Sequence, residues 1–398
     1  MDAIGIITEY NPFHHGHKWQ LDELRRRFGA DTGIVCAMSG SFVQRGDFAI
    51  ERAHARAEAA VRGGADLVLE LPLPWAIASA EGFARGGVAV LDATGLVSVL
   101  AFGSECGETE MLLRAAEALL RADFPSALRE ALAAGTSFAS AREAAARALI
   151  GEDAAVLKNP NDILGVEYCK AIIESGSAIV PLAMARRAVG HDEGAAEGFA
   201  SASYIRGLLA RGEDATAFLT EESAAIYARE CAAGRAPVTM RGAERAILSR
   251  LRTMEEGDFA RFDGGREGLY RRFYDAARTA SSIEELLGAA KTKRYAYARL
   301  RRMLLAAYLG VTAEDMPPRV PYLRVLACSE RGRKMLREMK QTAQAPVLVK
   351  SADVRALDAR AQRLFELSAR AEDQYVLAYP DLASARGGSA WTSGPVIV

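Results

Sequence analysis

The feature that most narrows the fold is a set of short apolar runs in the first half of the chain: "AIGIIT", "TGIVCAM", "ADLVLELP", "LVSVLAF" and "SAIVPLAM". Ala-rich stretches of helical period separate them. Runs of Val, Ile and Leu without polar alternation are what strands covered on both faces look like, so a parallel sheet flanked by helices is expected. In such sheets ligands bind beyond the carboxyl ends of the strands. The unusual motifs "EYNPFHHGH", "SGSFVQRGDFA", "GSECGE" and "RRAVGHDEG" each follow a strand, so they can converge on one crevice. From about Ala236 onward, stretches such as "AERAILSRLRTM" and "YAYARLRRMLLAAYLG" have helical period and basic outer faces. The reading is an α/β, Rossmann-like parallel-sheet domain over residues 1–235, then a mainly α-helical domain over residues 236–398. "AAGRAPVT" is the expected linker, and "PYLRVLA" and "APVLVK" are strand-like exceptions that can dock on another element.

The length of 398 residues suits two domains. No run approaches the ~18 apolar residues of a membrane span, and "MDAIGIITEY" lacks the basic start of a signal peptide. A cytoplasmic protein is expected, with no membrane and no obligate protein partner. The five cysteines are scattered and never form a CxxC pair, which suggests buried free thiols rather than a zinc site or disulfides. The net charge of −1 hides a division along the chain. Residues 236–398 hold 28 Lys and Arg against 19 Asp and Glu, a net +9, and the remaining 22 and 32 give residues 1–235 a net −10. A polyanion docking on the second half is the expectation, against the alternative of an ordinary Arg-rich helical surface.

"AIGIIT" is followed by a turn, "EYNPFHH", and by an amphipathic helix beginning near Gly16. His14 and His17 therefore sit where strand gives way to helix. A helix start offers unpaired N–H groups and the positive end of the dipole, and Gly16 lets a phosphate approach closely. Imidazoles can donate hydrogen bonds to charge developing there. Metal ligation by the histidines lacks a third ligand at a supporting spacing, so no metal site is expected. His14-x-Gly16-His17 resembles the HxGH signature of the nucleotidylyltransferase superfamily. "SASYIR" occupies the place of that superfamily's second signature, with Ser201, Ser203 and Arg206 as phosphate contacts. A plain N-cap by Ser201 or Ser203 is the competing explanation.

"EYNPFHHGH", "MSGSFVQRGDFAI", "ADLVLELPLPWAIASAEGFARGGV", "FGSECGE", "PNDILGVEY" and "KTKRYAYARLRRML" together resemble the bacterial tRNA(Met) cytidine acetate ligase family, over Ala3 to about Lys350. The resemblance implies that ATP, accompanied by Mg2+, activates acetate as acetyl-adenylate. The acetyl group then passes to the wobble cytidine of elongator tRNA(Met), giving N4-acetylcytidine. It implies His14 and His17 as catalytic residues. It places ATP against the stretch Ile7, Thr8, Glu9, Tyr10, Asn11, Pro12, Phe13, His14, His15, Gly16, His17, Lys18, Trp19 and Gln20, and against Gly103, Asn161, Arg186 and Arg187. A side chain at residue 103 would collide with a nucleotide, Asn161 can donate and accept, and the arginines can neutralise phosphate. Gly103 as a simple turn and Asn161 as a helix cap remain alternatives. Arg45 and Asp47 of "FVQRGD" are further candidates beside the ligand.

One departure from the family stands at Ala53, where a lysine aligns; Arg52 or His54 would have to substitute. In the second half, Lys291, Lys293, Arg294, Arg299, Arg301 and Arg302 lie beside Tyr295 and Tyr297, a composition suited to RNA. Spacing on a helix allows at most one of the two tyrosines to face it. Arg266, Arg271 and Arg272 add a second basic cluster. Two other functions fit parts of the pattern. One is a small-molecule adenylyltransferase acting on a phosphorylated cofactor precursor; the other is an adaptor that binds ATP and RNA without catalysis.

Overall fold

The computed structural model describes residues 2–133, 135–186, 199–263, 268–293 and 295–398. Five parallel strands form the body of the main sheet: β1 (Ala3–Thr8), β2 (Gly33–Ser39), β5 (Leu67–Leu71), β6 (Val97–Ser104) and β7 (Val180–Ala185). Between β2 and β5 a two-stranded hairpin, β3 (Phe42–Val43) with β4 (Asp47–Phe48), stands apart from the sheet. β8 (Leu323–Cys328), β9 (Val347–Leu348) and β10 (Val396–Ile397) complete the set, and the sheet runs β10-β8-β5-β2-β1-β6-β7, with β9 on β8. Successive strand residues feed opposite layers. Val35 and Ala37 of β2 join one core and Ile34, Cys36 and Met38 the other, which is why the sequence shows no polar alternation.

β8 pairs antiparallel with β5, so the sheet is mixed. This corrects the boundary expected at residue 235. The strands "LRVLAC" and "VI" from the last quarter of the chain belong to the sheet of the first half, because β5 would otherwise be left as an unpaired edge. Nor is "AAGRAPVT" a loose linker: Val238 N–H donates to Ile50 O and Asp381 N–H to Gly234 O. Helices from residue 244 to 309 form a second core around Leu251, Phe259, Phe273, Leu286, Leu300 and Leu304. The long helix Ala359–Tyr375 packs on that core too, and Tyr375 donates to Ala49 O at 2.8 Å. Phe42 and Phe48 of the hairpin enter the same cluster, with the Phe48 and Tyr375 rings stacked at 5.9 Å. The hairpin thus pegs the sheet to the helical part. No helix among the described residues is long and apolar enough to cross a membrane.

The strand ends are fastened by one side chain. Arg56, on the helix Ala53–Arg62, is fully buried and donates to Glu51 O (3.0 Å), Ser39 O (3.1 Å), Glu9 O and Gly40 O. These carbonyls belong to the segments just past β1 and β2 and to the start of the helix. Burial pushes the neighbouring Glu51 carboxyl up to about 8 against the pull of Arg56, so the guanidinium is held chiefly by carbonyl oxygens. Arg56→Met should strand four acceptors and lower the unfolding free energy by about 3 kcal/mol or more, measured by urea titration.

Candidate active site

β1 lies at the centre of the sheet, with β2 on one side and β6 on the other, so the strand order reverses between β1 and β6. A crevice at the carboxyl ends of such a pair is where open α/β sheets bind ligands. The chain leaves β1 through Tyr10, held in the left-handed region at φ +42°, and a cis Asn11–Pro12 bond. The Tyr10 ring stands edge-on to Phe13 at 5.0 Å and to His17 at 4.8 Å, and its hydroxyl meets Cys36 Sγ at 3.6 Å. The positive φ of Tyr10 persists because surrounding contacts over-determine the backbone. Contacts from remote elements do so here. Ile50 N–H donates to Asn11 Oδ1, Arg206 Nη1 to Asn11 O at 2.7 Å, and Ser223 Oγ to Phe13 O at 2.8 Å.

His14 is the N-cap of the helix His15–Phe28 and His17 stands at its third position. Gly16 N–H donates to His14 Nδ1 at 3.0 Å and His14 N–H to His17 Nδ1 at 3.3 Å, a capping box built from imidazoles. Because both Nδ1 atoms accept, each neutral ring carries its proton on Nε2. The rings stack at 3.7 Å. Burial, with Arg186, His15 and Arg206 nearby, pushes His14 down to about 3. Burial and the His14 ring hold His17 well below the ordinary imidazole value. The result is a pair of neutral Nε2–H donors at a helix N-terminus. Among the flanking residues, Lys18 pairs with Asp22 at 2.5 Å and Trp19 packs on the core beneath.

The opposite wall comes from β6 and β7. A Cβ on Gly103 would meet Arg186 Cγ at 3.3 Å, so the Arg186 side chain crosses the end of β6. Arg186 N–H donates to Ser104 O at 3.0 Å. The next residues interlock with the helix Pro160–Ser175. Glu105 accepts from Asn161 Nδ2 (2.6 Å) and Asp162 N–H (2.8 Å), while the buried Asp162 accepts from Ser104 Oγ (2.5 Å) and Glu105 N–H (2.8 Å). Asn161 is therefore inside the helix, with its amide on Glu105, and is not its cap. This reciprocal lock brings "FGSE" and "PND" together.

Ser201 caps the helix Ala202–Ala210 through Tyr204 N–H, Ser203 accepts from Arg206 Nη2 at 3.1 Å, and Arg206 reaches the histidine loop. Burial lowers the Arg206 guanidinium, while Glu9 and Asp47 support its charge and Arg45 and Arg301 oppose it. Arg45 is exposed and Asp47 is ion-paired with Arg301. The Arg301 guanidinium also donates to Gly46 O at 3.3 Å, so it fastens the hairpin to the helical part. The backbones touch as well. A Cβ on Gly46, at φ +76°, would lie 2.5 Å from Arg302 N. Lys291, Lys293 and Tyr297 are exposed, whereas Tyr295 is buried under Arg299, whose guanidinium stands 5.1 Å from the ring centre. Arg271 pairs with Glu256. Arg187, Arg266 and Arg294 lie outside the described residues.

Neither proposed stand-in for the missing lysine at Ala53 is free to serve. Arg52 is paired with the buried Glu230 at 2.9 Å, and His54 lines a separate cavity with Glu70, Arg324 and Glu372. Three supporting residues escaped sequence reasoning. Arg56 looks like any arginine of an Ala-rich helix, and Glu105 and Asp162 stood inside quoted motifs while attention went to their neighbours.

A HIGH Nucleotidyl Transferase family model matches residues 1–389. Fold and histidine motif together place the chain in that class. The tRNA(Met) cytidine acetate ligase of Acetivibrio thermocellus is 35% identical over 419 residues, covering 100% of both chains. That of Caldanaerobacter subterraneus subsp. tengcongensis is 37% identical over 395 residues, covering 96% of this chain and 97% of its own. The crystal structure of Thermotoga maritima TmcAL bound with alpha-thio ATP superposes with a TM-score of 0.92 at 33% identity, covering 100% of each chain. The chain belongs to the tRNA(Met) cytidine acetate ligase family.

The depressed His14 has a consequence for stability. Between about pH 6.5 and pH 3 the unfolded chain binds a proton at residue 14 that the folded chain refuses. Its contribution is therefore present above about 6.5 and lost as pH falls toward 3. His14→Asn, which keeps a cap acceptor, should flatten the fall in unfolding free energy between pH 7 and 5 by up to about 2 kcal/mol, measured by denaturant titration at each pH.

Proposed function

We propose that this chain activates acetate with ATP and transfers the acetyl group to a cytidine of tRNA(Met). The observation that carries the reading is the pair of neutral imidazole donors capping a helix at the β1/β6 switch point, with Arg186 across the end of β6. ATP enters as its Mg2+ complex. An acetate oxygen attacks the α-phosphorus, the α–β phosphoanhydride bond breaks and pyrophosphate leaves. The Nε2–H groups of His14 and His17 and the guanidinium of Arg186 stabilise the charge that grows on the phosphate oxygens. Ile7 to Gln20, Gly103 and Asn161 frame the nucleotide. The cytidine N4 amine then attacks the acetyl carbonyl and AMP departs with loss of one amine proton.

Arg187, Ser201 and Ser203 complete the phosphate contacts in this reading, with Arg45 and Asp47 at the rim. Lys291, Lys293, Arg294, Arg299 and Arg302 face the tRNA, and the protein works in the cytoplasm. Incubation with ATP, labelled acetate and bulk tRNA, followed by nucleoside analysis, tests the whole reaction; label absent from cytidine would overturn it.

The catalytic assignment predicts that His14→Asn and His17→Ala lower acetate-dependent exchange of pyrophosphate into ATP by about a hundredfold or more while circular dichroism stays unchanged. The cap acceptor kept by His14→Asn separates chemistry from helix stability. The RNA assignment predicts a different pattern for Lys291→Ala with Lys293→Ala. Affinity for tRNA should fall, and its dependence on log salt should flatten by about 0.7–0.9 per lost phosphate contact. Exchange without tRNA should match the parent, because neither lysine touches the histidine loop.

A further inference from the structure

The lock between the end of β6 and the helix Pro160–Ser175 fixes more than the backbone. Three N–H groups converge on the Glu105 carboxylate: Asn161 Nδ2 at 2.6 Å, Asp162 N–H at 2.8 Å and Asn161 N–H at 3.3 Å. A carboxylate offers oxygens only, so the Asn161 amide must turn its nitrogen toward Glu105. Its carbonyl oxygen is thereby committed to the other side. The side chain is partly exposed, and Asn161 Oδ1 has no hydrogen-bond partner among the described residues. Glu105 is itself held, because its N–H donates to the fully buried Asp162 at 2.8 Å. An amide that could have turned over is set in one orientation. At the same strand end Arg186 crosses beside Gly103, and its charge bears on His14.

ATP can offer this oxygen two kinds of donor, the ribose hydroxyls and the exocyclic amine of adenine. A hydroxyl both donates and accepts, so an amide in either orientation serves it. The amine of adenine only donates, and an amide oxygen on that amine is how asparagine reads adenine. A fixed acceptor is needed there alone. We propose that Glu105 is a positioning residue for base selection. It holds the Asn161 amide with Oδ1 outward, to accept from the exocyclic amine of adenine and to repel the carbonyl that guanine and hypoxanthine carry in its place. The inference rests on the reading that ATP occupies this crevice with Asn161 against it.

The test exploits the difference between a backbone N–H, which cannot turn, and a side-chain amide, which can. In Glu105→Gln the glutamine carbonyl goes to Asp162 N–H, its amino group faces Asn161, and the Asn161 amide turns over to accept from it. Acetate-dependent exchange of pyrophosphate is followed in the full chain with ATP, with inosine triphosphate and with the analogues of ATP that lack either ribose hydroxyl. The parent should prefer ATP to inosine triphosphate by about tenfold or more, chiefly in KM, the scale of one hydrogen bond replaced by two facing acceptors. In Glu105→Gln that preference should fall by about tenfold or reverse. KM for ATP rises, KM for inosine triphosphate falls, and kcat with ATP stays near that of the parent. Asn161→Ala should abolish the preference, and adding Glu105→Gln to it should change nothing further. A Glu105 that only holds the fold would weaken every nucleotide alike. That uniform loss, or parent-like ratios in both single variants, would overturn the proposal, and so would a change confined to the ribose analogues. Failure of the parent to exchange pyrophosphate into ATP would instead remove the underlying reading of the site, and this inference with it.

Discussion

The buried guanidinium of Arg56 is the contact on which the rest of the molecule turns. Parallel strands end in carbonyls that the sheet cannot pair, and here those ends must also bend into loops that bear chemistry. By donating to Glu9, Ser39, Gly40 and Glu51 together, Arg56 sets the departure angle of two loops at once. One of them carries the histidines and the other the hairpin Phe42–Phe48. Glu9 adds a second tie, since its carboxylate accepts from Gln44 N–H. The histidine loop and the hairpin are thereby one rigid unit, and the strained Tyr10 backbone can be tolerated within it.

That unit explains how two parts of opposite charge share one chemistry. The hairpin's aromatic rings sit in the core of the helical part while its polar tip binds Arg301. Arg206 approaches the same tip and grips the histidine loop. Much of the basic excess of residues 236–398 is therefore structural. Arg301 fastens the hairpin, Arg324 pairs with Glu70, and Arg252 and Arg278 donate to carbonyls within the helical part. A net charge counted along the sequence overstates what faces a polyanion. Among the described residues on the helix Tyr297–Leu309 and its approach, Lys291 and Lys293 are the exposed cations.

The five parallel strands were legible because burial on both faces leaves uninterrupted apolar runs. The histidine turn was legible as a junction because an uninterrupted apolar run gives way there to an amphipathic helical period. "PYLRVLA" and "APVLVK" read as strands, but their place beside β5 did not, since pairing across so long a separation leaves no local mark. The tie from Arg301 to the hairpin left no mark for the same reason, since its carboxylate partner Asp47 lies in the other half of the chain. Asn161 drew the eye as a cap or ligand, whereas Asp162 beside it makes the buried bonds. A sequence displays residue types, while the choice among adjacent polar residues is made by tertiary geometry.

The insertion of β8 next to β5, and of β10 beyond it, bears on how the protein is made. A ribosome releases β1, β2, β5, β6 and β7 long before it releases Leu323–Cys328, and Val396–Ile397 follow later still. During that interval β5 is an open edge, able to pair with any extended segment nearby, including β5 of another nascent chain. The main sheet is thus finished only after β8 and β10 have emerged. A chain truncated before Leu323 is an incomplete sheet with an exposed edge, and not a smaller working domain.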